Sequence, residues 1–184
     1  MKQPIKLIIL DRDGVINKDS DAYIKSPDEW IPLPGSLEAI AQLKHAGWTV
    51  AMATNQSGIA RGLFSEEALH AMHAKMARLL DKLGAGIDYI TWCPHGPDQG
   101  CYCRKPLPGM YEQIARHFGC SLKGVPVVGD SARDLEAAVA VGARPILVRT
   151  GKGERTLATG KMPEGTLVVT NLAEAVTFLT KTQL

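Results

Sequence analysis

Six short, largely apolar runs separated by amphipathic stretches constrain this chain more than any other feature. Residues 5–10, 48–53, 87–92, 125–129, 145–149 and 166–170 are rich in β-branched and aliphatic side chains at successive positions. A strand buried on both faces reads this way, and such strands belong to parallel sheets. Helical patterns fall between the runs, at 36–46, 65–83, 109–118, 131–141 and 171–181. The first follows a Pro-Gly turn and sets Leu37, Ile40, Ala41 and Leu43 on one side. The second opens with Ser65 as cap and Glu66 and Glu67 in its first turn, which suits the helix dipole, and closes at Gly84. Asn171 with Glu174 has the form of a capping box.

Strand and helix alternate nearly throughout, and that order demands crossover connections. The expected fold is α/β: a doubly wound, mainly parallel sheet with helices on both faces. No linker-like stretch divides the 184 residues, so one domain over 1–184 is expected, with insertions at about 14–34 and 93–106. The formal charge of +2 argues against a general nucleic-acid or acidic-membrane binder. Aromatic runs that could stack on bases are lacking as well. The apolar run Leu7–Leu10 stops at Asp11, too short for a signal-peptide core or a bilayer span. A cytoplasmic monomer is the expectation.

Ligands of such sheets bind beyond the carboxyl ends of the strands, so the residues directly after each run matter most. After the first comes Asp11-Arg12-Asp13-Gly14, and after the second Thr54-Asn55-Gln56-Ser57-Gly58. The third is followed by a Cys/His segment and then Arg104-Lys105-Pro106; the fourth by Asp130-Ser131-Ala132-Arg133-Asp134. Turn chemistry explains one such polar set, but four converging on one edge make a site. Carboxylates from separate strand ends suit Mg²⁺, which takes one or two of them plus water and phosphate oxygens. The Thr54 hydroxyl and Lys105 ammonium suit phosphoryl oxygens, and a carboxylate nucleophile offers a covalent route. The spacing Asn17-x-Asp19-x-Asp21 invites a Ca²⁺ loop, yet Ala22 and Asp28 stand where an EF-hand needs Gly and Glu.

Three of the four cysteines lie between Cys93 and Cys103, with His95 among them. Their pattern, C-x-H-x5-C-x-C, is tighter than common zinc-finger spacings. By spacing alone it suits either tetrahedral Zn²⁺ or a loop of free thiols. Cys120 lies outside and reads as a buried or half-buried thiol.

With Asp11-Arg12-Asp13-Gly14-Val15, Thr54, Lys105-Pro106 and the string from Gly129 to Asp134, the chain resembles the haloacid-dehalogenase-like (HAD) phosphatases. All four family motifs occur in order. The strings from Asp11 to Asn17, Thr54 to Gly62 and Cys101 to Pro106 are similar to those of its heptose-bisphosphate and histidinol-phosphate phosphatase branch. The resemblance implies Asp11 as nucleophile, Asp13 as general acid and base, and Thr54 and Lys105 on the transferring phosphoryl group. It also implies Mg²⁺ between Asp11, the backbone carbonyl of Asp13 and Asp130. It further implies Zn²⁺ held by Cys93, His95, Cys101 and Cys103, stiffening the loop that precedes Lys105. Asp19, Ser20, Asp21, Tyr23, Asn55, Gln56 and Arg104 are implied contacts to a small sugar-bisphosphate substrate. Asp134 either orients Lys105 or caps its helix. The stretch between Asn55 and Glu66 is too short for a large cap domain.

Other features read as structural. His45, His70, His73 and His117 fall on helical patterns away from the strand ends, and the His70–His73 pair reads as a solvated helix face. Gly151-Lys152-Gly153 lacks phosphate-loop spacing and reads as a turn. A zinc-containing nucleic-acid module on an inactive core, or a phosphotransferase that passes its phosphoryl group to a second sugar, are the competing functions.

Overall fold

The apolar runs pair into one sheet. In the computed structural model, which describes residues 4–181, the strands are β1 (Leu7–Leu10), β2 (Thr49–Asn55), β3 (Tyr89–Cys93), β4 (Pro126–Gly129), β5 (Arg144–Val148) and β6 (Leu167–Val169). The helices are α1 (Ser36–His45), α2 (Glu66–Asp81), α3 (Gly109–Phe118), α4 (Ala132–Ala140), α5 (Gly153–Thr159) and α6 (Leu172–Lys181). Every pairing is parallel, and the order is β3-β2-β1-β4-β5-β6. From β1 the chain winds outward through β2 to β3, then returns to β4 and winds the other way. The crevice between the carboxyl ends of β1 and β4 is therefore the topological switch point.

Burial follows the strand period of two. Ile8 and Leu10 face a core built from α1, α2 and α6, with Ile40, Leu69, Met72 and Val176. Leu7 and Ile9 face the opposite core, with Met110 and Ile114 of α3 and Ala137 of α4. Both faces of the central strand are covered, so its run is continuously apolar. The insertion at 14–34 is not a loose flap. Trp30 is completely buried beside Val15 and Ile16, and the Lys75 ammonium on α2 donates to the Pro27 and Trp30 carbonyls at 2.7 Å each.

The helix α5 was not expected from the sequence. Its seven residues carry few apolar side chains, so periodicity gives little sign of it. Gly153 at its start abuts the Val148 carbonyl, where a Cβ would collide. Among the described residues no helix is long and apolar enough to cross a membrane.

Candidate active site at the switch point

Every residue expected to act on phosphate or sugar lines one pocket of about 690 Å³ at the switch point. Asp11 follows β1 directly, and its backbone N–H donates to the Val128 carbonyl of β4 at 2.9 Å. The first carboxylate thus stands on the seam between the two halves of the sheet.

Lys105 reaches this floor from the loop after β3 and is almost completely buried. Its ammonium meets Asp11 Oδ1 at 3.0 Å, Asp134 Oδ1 at 2.6 Å and the Ala53 carbonyl at 2.8 Å. Three donors therefore find three acceptors, and the two carboxylates keep the lysine protonated despite its burial. Asp134 does both things anticipated of it. Oδ1 holds Lys105, while Oδ2 accepts from the Ser131 backbone N–H at 3.1 Å and the Ser131 hydroxyl at 2.9 Å, capping α4.

Asp13 lies in a different field. Oδ1 accepts from Arg12 Nε at 3.0 Å, Arg12 Nη2 at 2.9 Å and Asn17 Nδ2 at 2.8 Å, and Oδ2 from Gln56 Nε2 at 3.0 Å. Burial alone would raise its pKa, but Arg12 with the Asn17 and Gln56 amides holds it below the usual carboxylate value. The same Gln56 Nε2 donates to Thr54 Oγ1 at 2.8 Å, linking that hydroxyl to Asp13. Asn55 grips the Lys105 backbone with both ends of its amide. These two amides thus bond to Asp13, Thr54 and the Lys105 backbone as well as lining the pocket.

Asp130 follows β4 and is buried. Its Oδ2 accepts from the Lys152 backbone N–H at 2.8 Å. Gly14 (φ 86) and Gly151 (φ 58) both press against this oxygen, so a Cβ at either would strike it. The turn at Gly151–Gly153 is therefore part of the site, and the Lys152 ammonium pairs with Asp19 Oδ2 at 3.2 Å.

The charges around Asp11 and Asp130 do not balance. Burial, reinforced by Asp134 and Asp13 and opposed by Lys105, pushes the Asp11 carboxyl up to about 7. Burial and the Asp11 and Asp134 charges raise Asp130 well above its ordinary value. Asp11, Asp130 and Asp134 each bring a carboxylate oxygen within 4.8 Å of one another, and Lys105 neutralises only part of that charge. With Asp134 engaged by Lys105 and Ser131, Asp11 and Asp130 form a hard-oxygen pair that fits Mg²⁺.

Four sulfur and nitrogen atoms cluster beyond β3. Cys93 Sγ lies 3.5 Å from His95 Nδ1, 3.7 Å from Cys101 Sγ and 3.0 Å from Cys103 Sγ, and His95 Nδ1 lies 3.3 Å from Cys103 Sγ. Tetrahedral zinc with ordinary bond lengths sets S···S at ~3.8 Å and S···N at ~3.6 Å, so the donor set suits that ion, with the Cys93–Cys103 pair the most compact of its contacts. None of these cysteines forms a disulfide. The cluster also ties the site together. Cys93 ends β3, its carbonyl accepts from the Gln56 N–H at 2.8 Å, and Arg104 Nη1 donates to the His95 carbonyl at 3.4 Å.

The pocket rim is made of side chains. Tyr23, at φ 68, carries the Arg61 guanidinium 5.9 Å above its ring. Asp21 is held by Arg155 through both oxygens, with contacts of 3.0 to 3.2 Å. Burial, and then the Arg133 and Arg61 charges, lower the Arg104 pKa, and all three guanidinium groups border the opening. Arg61 and Arg133 had no assigned role in the sequence, although both lie within the motif strings that carry the resemblance. Their signal was their position on those strings. The one reversal concerns His73, which is buried rather than solvated and meets Arg12 Nη1 at 3.3 Å.

Comparison with known proteins identifies the family. The HAD-hydrolase-like family model matches residues 102–175. The D-glycero-β-D-manno-heptose-1,7-bisphosphate 7-phosphatase of Bordetella bronchiseptica is 63% identical over 169 residues, covering 92% of this chain and 94% of that protein. This chain belongs to that family of HAD-like phosphatases. The enzyme of the same name from Pseudomonas aeruginosa is 60% identical over 174 residues, covering 94% of this chain and 97% of that one. A crystal structure of the B. bronchiseptica D,D-heptose 1,7-bisphosphate phosphatase, complexed with magnesium and phosphate, superposes with a TM-score of 0.95 at 61% identity. It covers 97% of this chain and 99% of that one. The corresponding structure from Burkholderia thailandensis gives 0.75 at 50% identity, covering 95% and 98%.

Proposed function

We propose that this chain is a Mg²⁺-dependent phosphomonoesterase that removes the 7-phosphate of D-glycero-β-D-manno-heptose 1,7-bisphosphate. The observation that carries this reading is the Asp11 carboxylate beside buried Lys105, in a pocket whose lining also brings the Arg61, Arg104 and Arg133 guanidiniums. One phosphate fits the floor, and the arginines of the rim suit a second anion on the same small molecule.

The residues divide the work. Asp11 attacks phosphorus, a new bond forms between its carboxylate oxygen and phosphorus, and the bond from phosphorus to the C7 oxygen breaks. The departing oxygen takes a proton from Asp13, which has taken it from solvent water as the dianionic phosphate arrives and raises its proton affinity. The Asp13 carboxylate, held ready by its four donors, then takes a proton from water. That water attacks phosphorus, releasing inorganic phosphate and the Asp11 carboxylate. Lys105 and Thr54 hold the phosphoryl oxygens throughout. Asp11, Asp130 and the Asp13 carbonyl would hold Mg²⁺, which when bound supplies charge neutralisation at the phosphoryl group.

Zn²⁺ on Cys93, His95, Cys101 and Cys103 would be structural, since the protein fills all four positions. It stiffens the loop that delivers Arg104 and Lys105. The whole chain acts as one cytoplasmic domain and a monomer. Its product keeps an anomeric phosphate, the form required for nucleotide activation of heptose in lipopolysaccharide core synthesis.

The test is phosphate release with Mg²⁺ from the heptose bisphosphate, fructose 1,6-bisphosphate and histidinol phosphate. A kcat/KM for the heptose about 10²-fold above the others, or about 2.7 kcal/mol of transition-state preference, supports the proposal. Preference for histidinol phosphate, which lacks the second anion, would overturn the substrate and leave the chemistry.

A further inference from the structure

Arg12 reaches neither the phosphoryl group nor the leaving oxygen in the steps above, yet its side chain is completely buried. A permanent charge in that position is costly unless its donors are matched. Nε and Nη2 grip Asp13. Nη1 points the other way, 3.3 Å from His73 Nε2 and 3.9 Å from Met72 Sδ, both on α2. A guanidinium only donates, so His73 Nε2 must accept, which places the ring proton on Nδ1 and makes the imidazole neutral. Burial and the Arg12 charge push this histidine down to about 3, so it stays neutral at working pH. Trp92 closes over it, ring to ring at 6.4 Å.

We propose that Arg12, seated on His73 and Met72, is a positioning residue that sets the direction of the Asp13 carboxyl, and that His73 acts on the reaction through Arg12. The planar fork fixes two points on Asp13, and the contacts on α2 fix the fork. Proton delivery tolerates little misplacement, since an error of about 1 Å can cost about 10²-fold. The inference rests on the acid–base role proposed for Asp13. A purely structural Arg12–His73 contact would only hold α2 to the sheet and would not distinguish one leaving group from another.

The experiment compares kcat/KM of the metal-loaded enzyme on the heptose bisphosphate and on p-nitrophenyl phosphate. This parameter covers the steps through departure of the leaving group, and p-nitrophenolate leaves without a proton. His73→Leu is expected to lose about 10-fold or more on the heptose substrate and at least about fivefold less on the aryl ester. His73→Gln, whose amide oxygen can accept from Nη1, recovers most of the loss. Arg12→Lys, which keeps the charge without the fork, behaves as His73→Leu does. Equal losses on both substrates, or an unchanged heptose kcat/KM in His73→Leu, would overturn the inference. Should His73→Leu fail to melt cooperatively, full activity in Arg12→Lys overturns it instead. Asp13→Asn separates the two layers. If Asp13→Asn shows the leaving-group-selective loss and the Arg12 and His73 variants do not, the positioning inference alone falls; if Asp13→Asn shows none, the acid–base reading falls and takes the inference with it.

Discussion

Asn55 and Lys105 exchange two hydrogen bonds: the Asn55 carboxamide accepts from the Lys105 N–H at 3.0 Å and donates to the Lys105 carbonyl at 3.1 Å. One side chain at the end of β2 thereby clamps the backbone that carries the buried lysine of the neighbouring loop. Replacing Asn55 with Ala removes both bonds and leaves Lys105 to find its three acceptors from a freer loop. The expected result is a drop in kcat of about 10-fold or more, with about 1–3 kcal/mol lost in stability. Steady-state kinetics with urea unfolding checks it; unchanged kcat would remove Asn55 from the positioning of Lys105.

Lys105 itself balances two buried carboxylates. Lys105→Met would leave Asp11 and Asp134 facing each other with no cation between them. Breaking a buried pair on one side costs about 3–5 kcal/mol, and activity disappears with the phosphoryl-binding charge. Lys105→Arg should not restore it, because a planar fork cannot aim three donors from one point at Asp11, Asp134 and the Ala53 carbonyl. Denaturant midpoints and turnover of both variants decide this.

The Cys/His cluster predicts one zinc per chain. Elemental analysis of purified protein measures it directly. Removal by a strong chelator, or Cys101→Ser, should lower the melting temperature and depress activity together, because Arg104 and Lys105 follow the last ligand. Full activity in metal-free protein after Mg²⁺ is restored would refute the stiffening role.

His73 predicts a pH dependence of stability. Its folded-state pKa falls from 6.5 to about 3, chiefly through burial and then through Arg12. Below about pH 6.5 the unfolded chain takes a proton that the native imidazole refuses. Stability from this group is therefore full above pH 6.5 and declines as the pH falls toward 3, by at most about 1.4 kcal/mol per pH unit. Urea unfolding at pH 7, 6 and 5 should show a shallower decline in His73→Gln than in the parent protein. Identical slopes would mean that His73 is not buried neutral.

The sheet and the ring of motif residues were legible in the sequence because each depends on local pattern. Continuous apolar runs mark doubly covered strands, and the polar residues after them fall at strand ends by topology alone. That was enough to gather Asp11, Thr54, Lys105 and Asp130 on one edge. The parts that were not legible depend on contacts between distant segments. α5 is short and weakly patterned, so Lys152 read as a turn residue although its N–H steadies Asp130. Residue type and position marked Asn55 and Gln56 as site residues, but not the Lys105 backbone, Asp13 and Thr54 as their partners. His73 reads as solvated by residue type alone, although Leu69, Met76 and Leu80 at i−4, i+3 and i+7 place it on the buried face of α2, where Arg12 meets it.

The central claim is that Asp11 is the nucleophile, and its most direct test is phosphate release from the heptose bisphosphate by Asp11→Asn, with zinc content and melting checked on the same protein. The amide keeps the shape and the contact to Lys105 but cannot form the phosphoryl ester. The account predicts a folded, zinc-loaded protein whose kcat has fallen by about 10³-fold or more. Turnover within about 10-fold of the parent enzyme would contradict it.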